Sequence, residues 1–139
     1  MTRVLVTGAD GFVGRALVRR LLADGLHGKA VDEVVAVDIR FECGASEGVR
    51  ELVGSIDDVA LMSEACRQPL AAVFHLASLP GGAAEKNFEL GRRINLDATA
   101  LLIDQLRQQA APPRLVFASS IAVYGELSTQ GVDESPPLA

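Results

Sequence analysis

The chain has 139 residues, of which 49% are hydrophobic, and its formal net charge at pH 7 is −5. That length and apolar content suffice for one domain with a buried core. The acidic balance argues against a surface that binds nucleic acid or an anionic membrane, and the opening segment resembles neither a signal peptide nor a membrane span.

The sequence alternates predicted strands and helices. The predicted strands are Val4 to Val6, Glu33 to Val37, Val49 to Val53, Ala72 to Ala77 and Leu115 to Ala118. The predicted helices are Phe12 to Asp24, a helix capped by Asp57 and reaching about Arg67, and about Ala84 to Ala110. Near-continuous apolar strands that alternate with helices are typical of a parallel sheet covered on both faces. Because crossovers are right-handed, we predict an incomplete α/β doubly wound sheet, of the Rossmann type, with about five strands.

A turn with three evenly spaced glycines joins the first strand to the first helix. Gly8 allows a sharp turn, and Gly11 has no Cβ, so that the main chain can approach a phosphate. Gly14 is expected to face the sheet, where a side chain would push the helix away. The helix N-terminus offers N–H groups and partial positive charge to an anion. The pattern predicts a site for a dinucleotide pyrophosphate, and a plain strand–helix corner is the alternative. The expected contacts are Gly8, Asp10, Gly11, Phe12, Val13 and Gly14.

Asp38 follows the second predicted strand. Its separation in sequence from the glycine turn is about that at which dinucleotide-binding domains carry the acid that binds the adenosine ribose. A carboxylate there accepts a hydrogen bond from a 2′-hydroxyl and repels a 2′-phosphate. We therefore predict NAD as the cofactor in preference to NADP. Two alternatives stay open: Asp38 as an ordinary turn residue, and Arg40 as a partner for a 2′-phosphate.

The carboxyl ends of later strands also carry candidate site residues, because ligands bind at that edge of a parallel sheet. The segment Leu76, Ala77 and Ser78 would pass beside the cofactor riboses. Ser119 and Ser120 follow the fifth strand, where a substrate would meet the nicotinamide. Capping of the strand end is the alternative for these two serines.

Two polar residues are predicted to lie in apolar surroundings. Asn95 falls on a helical stripe that faces the sheet, so it must be hydrogen-bonded there. His75 lies between Phe74 and Leu76, which is more typical of a hydrogen-bonded core histidine than of an acid or base. The stripe that holds Asn95 also contains Phe88, Gly91, Ala98 and Leu102.

Four segments in order, VTGADGFVG, VDIR, VFHLAS and VFASSIAVYG, resemble the extended short-chain dehydrogenase/reductase family of epimerases, dehydratases and dehydrogenases. The resemblance covers essentially the whole chain. It implies that Ser120 hydrogen-bonds the reacting substrate oxygen and that Asn95 braces the active-site strand and a proton-relay water. Relatives often carry an acid at the position of Ser55, so the backbone of Ser55 and Ile56 is expected to contact the adenine. The resemblance also implies a homodimer for the full-length protein.

One stretch, HLASLPGGAAEKNFELGRRINLDAT, resembles more particularly the D-erythronate dehydrogenase group of that family. This implies NAD-dependent oxidation of the C2 hydroxyl of a four-carbon sugar acid, with Ser78, Gly81 and Gly82 bordering the substrate. The alternatives are a nucleotide-sugar epimerase or dehydratase with tightly bound NAD, and a non-catalytic dinucleotide-binding module.

The chain departs from the family at the catalytic base, which is a tyrosine with a lysine four residues later. Tyr124 is the chain's one tyrosine, and Ser128 stands four residues after it. We therefore expect residues 1–139 to be the NAD-binding domain of a longer enzyme, without the Tyr-x-x-x-Lys segment and the substrate domain, and inactive alone.

Cysteine usage points to no metal site. Cys43 and Cys66 lie far apart and have no metal-ligand spacing. Free thiols in a reducing cytoplasm are the expectation.

Overall fold

The computed structural model describes residues 1–42, 44 and 46–124, and Cys43 therefore lies outside the described residues. The strands are β1 (Arg3–Thr7), β2 (Glu33–Asp38), β3 (Val49–Val53), β4 (Ala72–His75) and β5 (Arg114–Phe117). The helices are α1 (Phe12–Asp24), α2 (Val59–Ala65), α3 (Gly81–Lys86), α4 (Phe88–Arg92) and α5 (Ala98–Arg107). A π-helical turn (Arg93–Asp97) joins α4 to α5, and a 3₁₀ turn (Ile121–Tyr124) follows β5.

The five strands form one parallel sheet in the order β3-β2-β1-β4-β5. The chain builds outward from β1 to β3, then crosses back to add β4 and β5 on the other side. The strand order thus reverses beside β1, which opens a crevice at the carboxyl ends of β1 and β4. The predicted α/β doubly wound fold is confirmed.

The central strands are buried on both faces, because their side chains alternate between two apolar clusters. On one face, α1 packs through Leu21 against Val4, Val6, Val34 and Ala36. On the other, Met62 of α2 and Leu102 of α5 cover Leu5, Val35, Val37 and Val73. These β-branched side chains suit a pleated surface that is buried on both sides.

Helix α2 begins one residue later than the sequence suggested. Its cap is Asp58, whose carboxylate accepts hydrogen bonds from the N–H groups of Ala60 and Leu61 at 2.9 and 3.1 Å. The predicted cap, Asp57, instead forms an ion pair with Arg93 at 2.6 Å. Both aspartates are good caps by type, and tertiary contacts decide between them.

The long helix predicted from about Ala84 to Ala110 is interrupted. Asn87 has φ −139° and ψ 84°, which breaks the helix, and its side-chain oxygen accepts the N–H of Leu90 to start α4. Gly91 allows α4 to approach α3 closely, because a Cβ there would lie 2.8 Å from the Cβ of Ala84. The helical periodicity continues through this corner, so periodicity alone could not reveal it.

The glycine turn is crowded by its own backbone. A Cβ on Gly14 would overlap the carbonyl oxygen of Gly8 and lie 2.7 Å from that of Ala9. A glycine is needed at position 14, as expected, but the reason differs: a side chain there would clash with the turn, whereas we expected a clash with the sheet. This glycine lets α1 start tightly against the turn.

Replacing Gly14 by alanine should destabilise the fold by about 2–3 kcal/mol, because backbone atoms must move to admit the methyl group. Gly82→Ala is the matched control: Gly82 lies within α3, and a Cβ there meets nothing within 4 Å. That variant should gain about 0.5–1 kcal/mol from helix propensity. Urea unfolding of both variants is the measurement, and similar midpoints for the two would contradict the assignment.

Candidate functional site

Two adjoining cavities open at the carboxyl ends of the strands. The first, of about 430 Å³, lies over the ends of β1, β2 and β4. Predicted cofactor residues in its lining are Gly8, Gly11, Asp38, Ser55, Ile56, Leu76, Ala77 and Ser78. The second, of about 370 Å³, lies between the ends of β4 and β5 and the π-helical turn. Predicted substrate or catalytic residues in its lining are Ser78, Gly81, Asn95 and Ser120.

The two cavities share the segment that follows β4, since Ala77, Ser78 and Leu79 line both. Other grooves, of about 530 and 860 Å³, lie at the opposite end of the sheet, around Pro69 and Pro113. Ligands of open α/β sheets bind at the carboxyl ends, which favours the two smaller cavities as the site.

The glycine turn presents main chain to the first cavity. Gly8 has φ 68°, and a Cβ on it would lie 2.8 Å from the amide nitrogen of Ala77. The N–H of Gly11 donates to the carbonyl of Gly8 at 3.2 Å. Gly11 is the N-cap of α1 and has no side chain to occupy the first-turn N–H groups, which are left for an anion.

Two side chains of this corner point away from the cavity. Phe12 is 96% exposed and Val13 is 60% exposed. Neither they nor Gly14 is in the cavity lining, so any contact they make with a pyrophosphate is through their backbone. Asp10 is also outside that lining, and its carboxylate pairs with Arg15 at 3.2 Å.

Asp38 lies at the end of β2 with its carboxylate against the glycine turn. One oxygen accepts the N–H of Asp10 at 2.9 Å, and the other accepts the N–H of Ile39 at 2.7 Å. Each carboxylate oxygen has two acceptor sites, so both can accept a further hydroxyl. The side chain lines the first cavity, where a ribose diol has room to bind it.

The cations near this acid are engaged with other carboxylates. Arg15 pairs with Glu42 at 2.8 Å, and its hydrogen bond and charge lower the pKa of the Glu42 carboxyl. The exposed Arg40 lies 3.9 Å from the same glutamate. In the part of the chain that the structure describes, no salt bridge of Arg40 reaches Asp38.

The far end of the first cavity is formed by Gly54, Ser55 and Ile56 after β3. The N–H of Gly54 donates to the carbonyl of Asp38 at 2.8 Å, which fixes this loop beside the acid. A hydrogen bond from the Ser55 side chain lowers the pKa of the Asp57 carboxyl, and the charge of Arg93 adds to the effect. The Ser55 hydroxyl is thus directed at Asp57.

Asn95 lies on the π-helical turn and is exposed, so the expectation that it is buried against the sheet was wrong. A π-helical turn contains about one residue more than an α-helical turn. Asn95 is therefore displaced from the buried stripe that contains Gly91 and Ala98. Its amide still has the required partners: Oδ1 accepts the N–H of Leu79 at 2.7 Å, and Nδ2 donates to the Leu79 carbonyl at 2.9 Å. Phe88, from the same predicted stripe, is 70% exposed.

The two serines after β5 line the second cavity. The hydroxyl of Ser120 accepts the N–H of Ala122 at 3.2 Å, so it caps the 3₁₀ turn rather than the end of β5. Its proton is left for another acceptor, because a hydroxyl donates and accepts at once. Gly82 is outside the lining of both cavities.

His75 is 1% exposed, and its two ring nitrogens contact threonine hydroxyls. Nδ1 lies 2.6 Å from Oγ1 of Thr7, and Nε2 lies 2.9 Å from Oγ1 of Thr99. The ring of Phe117 packs beside it, with centroids 5.7 Å apart. The prediction of a hydrogen-bonded core histidine is confirmed. Burial lowers its pKa, so the ring is neutral at pH 7.

Sequence reasoning missed several residues of the site. Leu79 was not singled out, yet it lines both cavities and holds Asn95. Thr7 and Thr99 were also missed, although Thr7 is a hydroxyl at the end of an otherwise aliphatic strand. Leu90 and Ile94, which follow the break at Asn87, also line the first cavity.

Further findings concern the thiols, metals and membranes. Cys66 is free, and burial raises its pKa to about 11, so the thiol is protonated.

Among residues 1–42, 44 and 46–124 there is no cluster of three or more possible metal-ligating side chains. No helix in those same ranges has the length and apolar character to cross a membrane.

The lowered pKa of His75 predicts a pH-dependent contribution to stability. The unfolded chain, whose histidine titrates near 6.5, binds the proton more readily than the folded chain. This contribution is therefore full above about pH 6.5 and is lost as the pH falls toward the folded-state pKa. The partners of the ring, Thr7, Thr99 and Phe117, carry no charge that would offset the effect.

The measurement is the free energy of unfolding of the wild type and of His75→Gln. The difference between them should shrink from about pH 7.5 to about pH 5, by about 1.4 kcal/mol for each unit by which the two pKa values differ. Acids that titrate over the same range are common to both proteins. A constant difference over this range would rule out the assignment.

Comparison with known proteins places these features in a family. The family model described as "NAD dependent epimerase/dehydratase family" matches residues 4–138. The chain is 40% identical over 128 residues to the D-erythronate dehydrogenase of Cupriavidus necator, covering 88% of this chain and 40% of that protein. It is 32% identical to the UDP-glucose 4-epimerase of Mus musculus, covering 99% of this chain and 43% of that protein.

A solved structure shows the same fold. The UDP-glucose 4-epimerase of Thermus thermophilus, crystallised in complex with NAD, superposes with a TM-score of 0.82 at 30% sequence identity. The match covers 99% of this chain and 44% of that one. This chain thus spans well under half the length of the relatives it matches. It belongs to the NAD-dependent epimerase/dehydratase family.

Proposed function

We propose that this chain supplies the NAD-binding domain, residues 1–139, of an oxidoreductase that oxidises the C2 hydroxyl of a four-carbon sugar acid such as D-erythronate. The observation that carries the proposal is the pair of cavities that meet at Ala77, Ser78 and Leu79, one lined by glycine backbone and Asp38, the other by hydroxyl and amide side chains. The 40% identity to a D-erythronate dehydrogenase favours the sugar-acid substrate.

The first cavity fits a dinucleotide. The Gly8–Gly14 turn would hold the pyrophosphate through main-chain N–H groups, because Gly11, at the N-cap of α1, has no side chain to keep a phosphate away from them. Asp38 would accept the ribose hydroxyls, and Ser55 with Ile56 would border the adenine. The nicotinamide, when bound, supplies the hydride acceptor.

The preference for NAD over NADP rests on charge. The carboxylate of Asp38 lines the first cavity, where a 2′-phosphate would meet like charge. The guanidinium of Arg40 is near Glu42, which leaves Asp38 without that neutralising partner.

The second cavity would hold the substrate. Ser120 would donate its hydroxyl proton to the reacting oxygen, and Ser78 with Gly81 would border the sugar acid. Asn95, through its two hydrogen bonds to Leu79, would keep the loop after β4 in place. Proton removal from the substrate hydroxyl requires a base, and in this chain Ser128 stands where the family's lysine would follow Tyr124. We therefore propose that the 139 residues alone bind cofactor weakly and turn nothing over.

A second candidate is a nucleotide-sugar epimerase or dehydratase that keeps NAD bound and regenerates it. The 32% identity to a UDP-glucose 4-epimerase favours it. Net production of NADH separates the two, because an epimerase returns the hydride to its product. A non-catalytic dinucleotide-binding module is the third candidate.

For the full-length protein we propose a cytoplasmic homodimer. The support for a dimer is that three large apolar side chains of the α4–α5 region are exposed: Phe88 is 70%, Leu96 60% and Ile103 39% exposed. Exposed apolar patches of this kind mark association surfaces.

Asp38→Asn should weaken NAD binding by about tenfold or more, because hydrogen bonds to a charged acceptor contribute about 1.5–3 kcal/mol. The same change should narrow the preference for NAD over NADP, since it removes the charge that repels the 2′-phosphate. Isothermal titration with each cofactor is the measurement.

Asp24→Asn is the control, because this acid lies at the end of α1 and pairs with Arg20. It should leave both affinities unchanged. Wild-type affinity for NAD in a folded Asp38→Asn variant would refute the assigned role of this acid.

The chain alone should form no NADH from NAD and D-erythronate, because loss of a general base typically costs about 10²–10⁴-fold in rate. A chimera that joins residues 1–124 to the remaining part of the Cupriavidus necator relative should form NADH, and Ser120→Ala in that chimera should lower kcat. Absorbance of NADH is the measurement.

Two results would count against this account. Turnover by the 139-residue chain would show that its own residues supply the base. A folded chimera that binds NAD and epimerises a nucleotide sugar, with no NADH formed from D-erythronate, would favour the epimerase.

A further inference from the structure

A chain of hydrogen bonds runs through the buried His75 side chain, from the segment after β4 to the π-helical turn. The N–H of Ala77 donates to Oγ1 of Thr7 at 3.3 Å, and that oxygen lies 2.6 Å from Nδ1 of His75. Nε2 of His75 lies 2.9 Å from Oγ1 of Thr99, which donates to the carbonyl of Asn95 at 3.0 Å. Thr7 and His75 are directly paired across β1 and β4.

The carbonyl at the Asn95 end sets the direction of the bonds if every proton in the chain is to have an acceptor. A carbonyl can only accept, so the one proton of Thr99 goes to Asn95, and Thr99 must accept from Nε2–H of His75. The neutral ring then carries no proton on Nδ1, which accepts from the Thr7 hydroxyl. The Thr7 oxygen in turn accepts the N–H of Ala77, so every member is satisfied.

Only one state of the ring fits this arrangement. In the other neutral tautomer, Thr99 would donate to Nε2 and give up its bond to the Asn95 carbonyl, and Nδ1–H would leave the Thr7 hydroxyl proton without an acceptor in this chain. In the cation, both nitrogens donate, and Thr7 would lose the acceptor for its proton.

Hydrogen bonds also connect the π-helical turn to the segment Ala77, Ser78 and Leu79, which lines both cavities. Asn95 holds Leu79 through two hydrogen bonds, and Leu79 is two residues beyond Ala77. The π-helical turn is thereby fixed to the segment after β4 from both sides. His75 itself lines neither cavity.

We propose that His75 is a positioning residue, held as the neutral Nε2–H tautomer, which sets the distance between the Asn95 turn and the strand ends and so aligns the two cavities. The consequence for cofactor binding rests on the proposed function. The tautomer and the hydrogen-bond chain stand independently of it.

The first test is the nitrogen spectrum of the whole 139-residue chain labelled with ¹⁵N-histidine. The expected signals for His75 are an unprotonated Nδ1 and a protonated Nε2 whose proton exchanges slowly with water. A protonated Nδ1, or rapid interconversion of tautomers at neutral pH, would overturn the proposal.

The second test compares Thr99→Val with Thr99→Ser. Valine keeps the shape and removes the hydroxyl, so the side-chain amide signals of Asn95 should shift and NAD affinity should fall by about threefold to tenfold. Serine restores the hydroxyl and should restore both readouts. A folded Thr99→Val protein with unchanged Asn95 signals would refute the positioning role.

The readouts separate this inference from the proposed function. Absence of NAD binding by the wild type would refute the cofactor assignment, and the histidine and Asn95 signals would still decide the inference. If Thr99→Val does not fold, the tautomer in the wild type and the recovery in Thr99→Ser decide it.

Discussion

The close contact between the turn after β1 and the end of β4 determines where a ligand can bind. At Gly8 the backbone has φ 68°, and its Cα faces the Ala77 amide so closely that a methyl group would lie 2.8 Å from the nitrogen. Because Gly8 has no side chain, the two backbones can meet there, at the point where the strand order reverses. Both cavities then extend from this point, one toward β2 and the other toward β5.

In the proposed function, the backbone of the glycine turn would bind the cofactor's phosphates and the Asp38 carboxylate would bind its ribose hydroxyls, and the charges around the first cavity suit that division. Arg15 is paired with Asp10 and Glu42, and Arg93 is paired with Asp57, all outside the cavity wall at the glycine turn. The helix N-terminus supplies the positive potential instead. Asp38 can therefore lie close to the turn without forming an ion pair that would occupy its acceptor sites.

The sequence predicted the strands well because their signal is local. The run Val49–Val53 was placed with the observed bounds, and the glycine turn and Asp38 were brought to one cavity as expected. The region between β4 and β5 was predicted poorly because helical periodicity does not contain what shapes it. The π-helical turn depends on contacts with distant residues, whereas the break at Asn87 is made locally, by its side chain capping Leu90.

The π-helical turn is costly in hydrogen-bond geometry, and three tertiary contacts offset that cost. Arg93 reaches Asp57 beside the adenine end, Asn95 reaches Leu79 on the shared wall, and Thr99 reaches the buried His75. These partners lie after β3 and within or after β4, so one short turn is tied to two strand ends. A displacement of the turn would change both cavities together. If the two proposed sites are coupled, this turn and the histidine bonded to Thr99 are where the structure would carry that coupling.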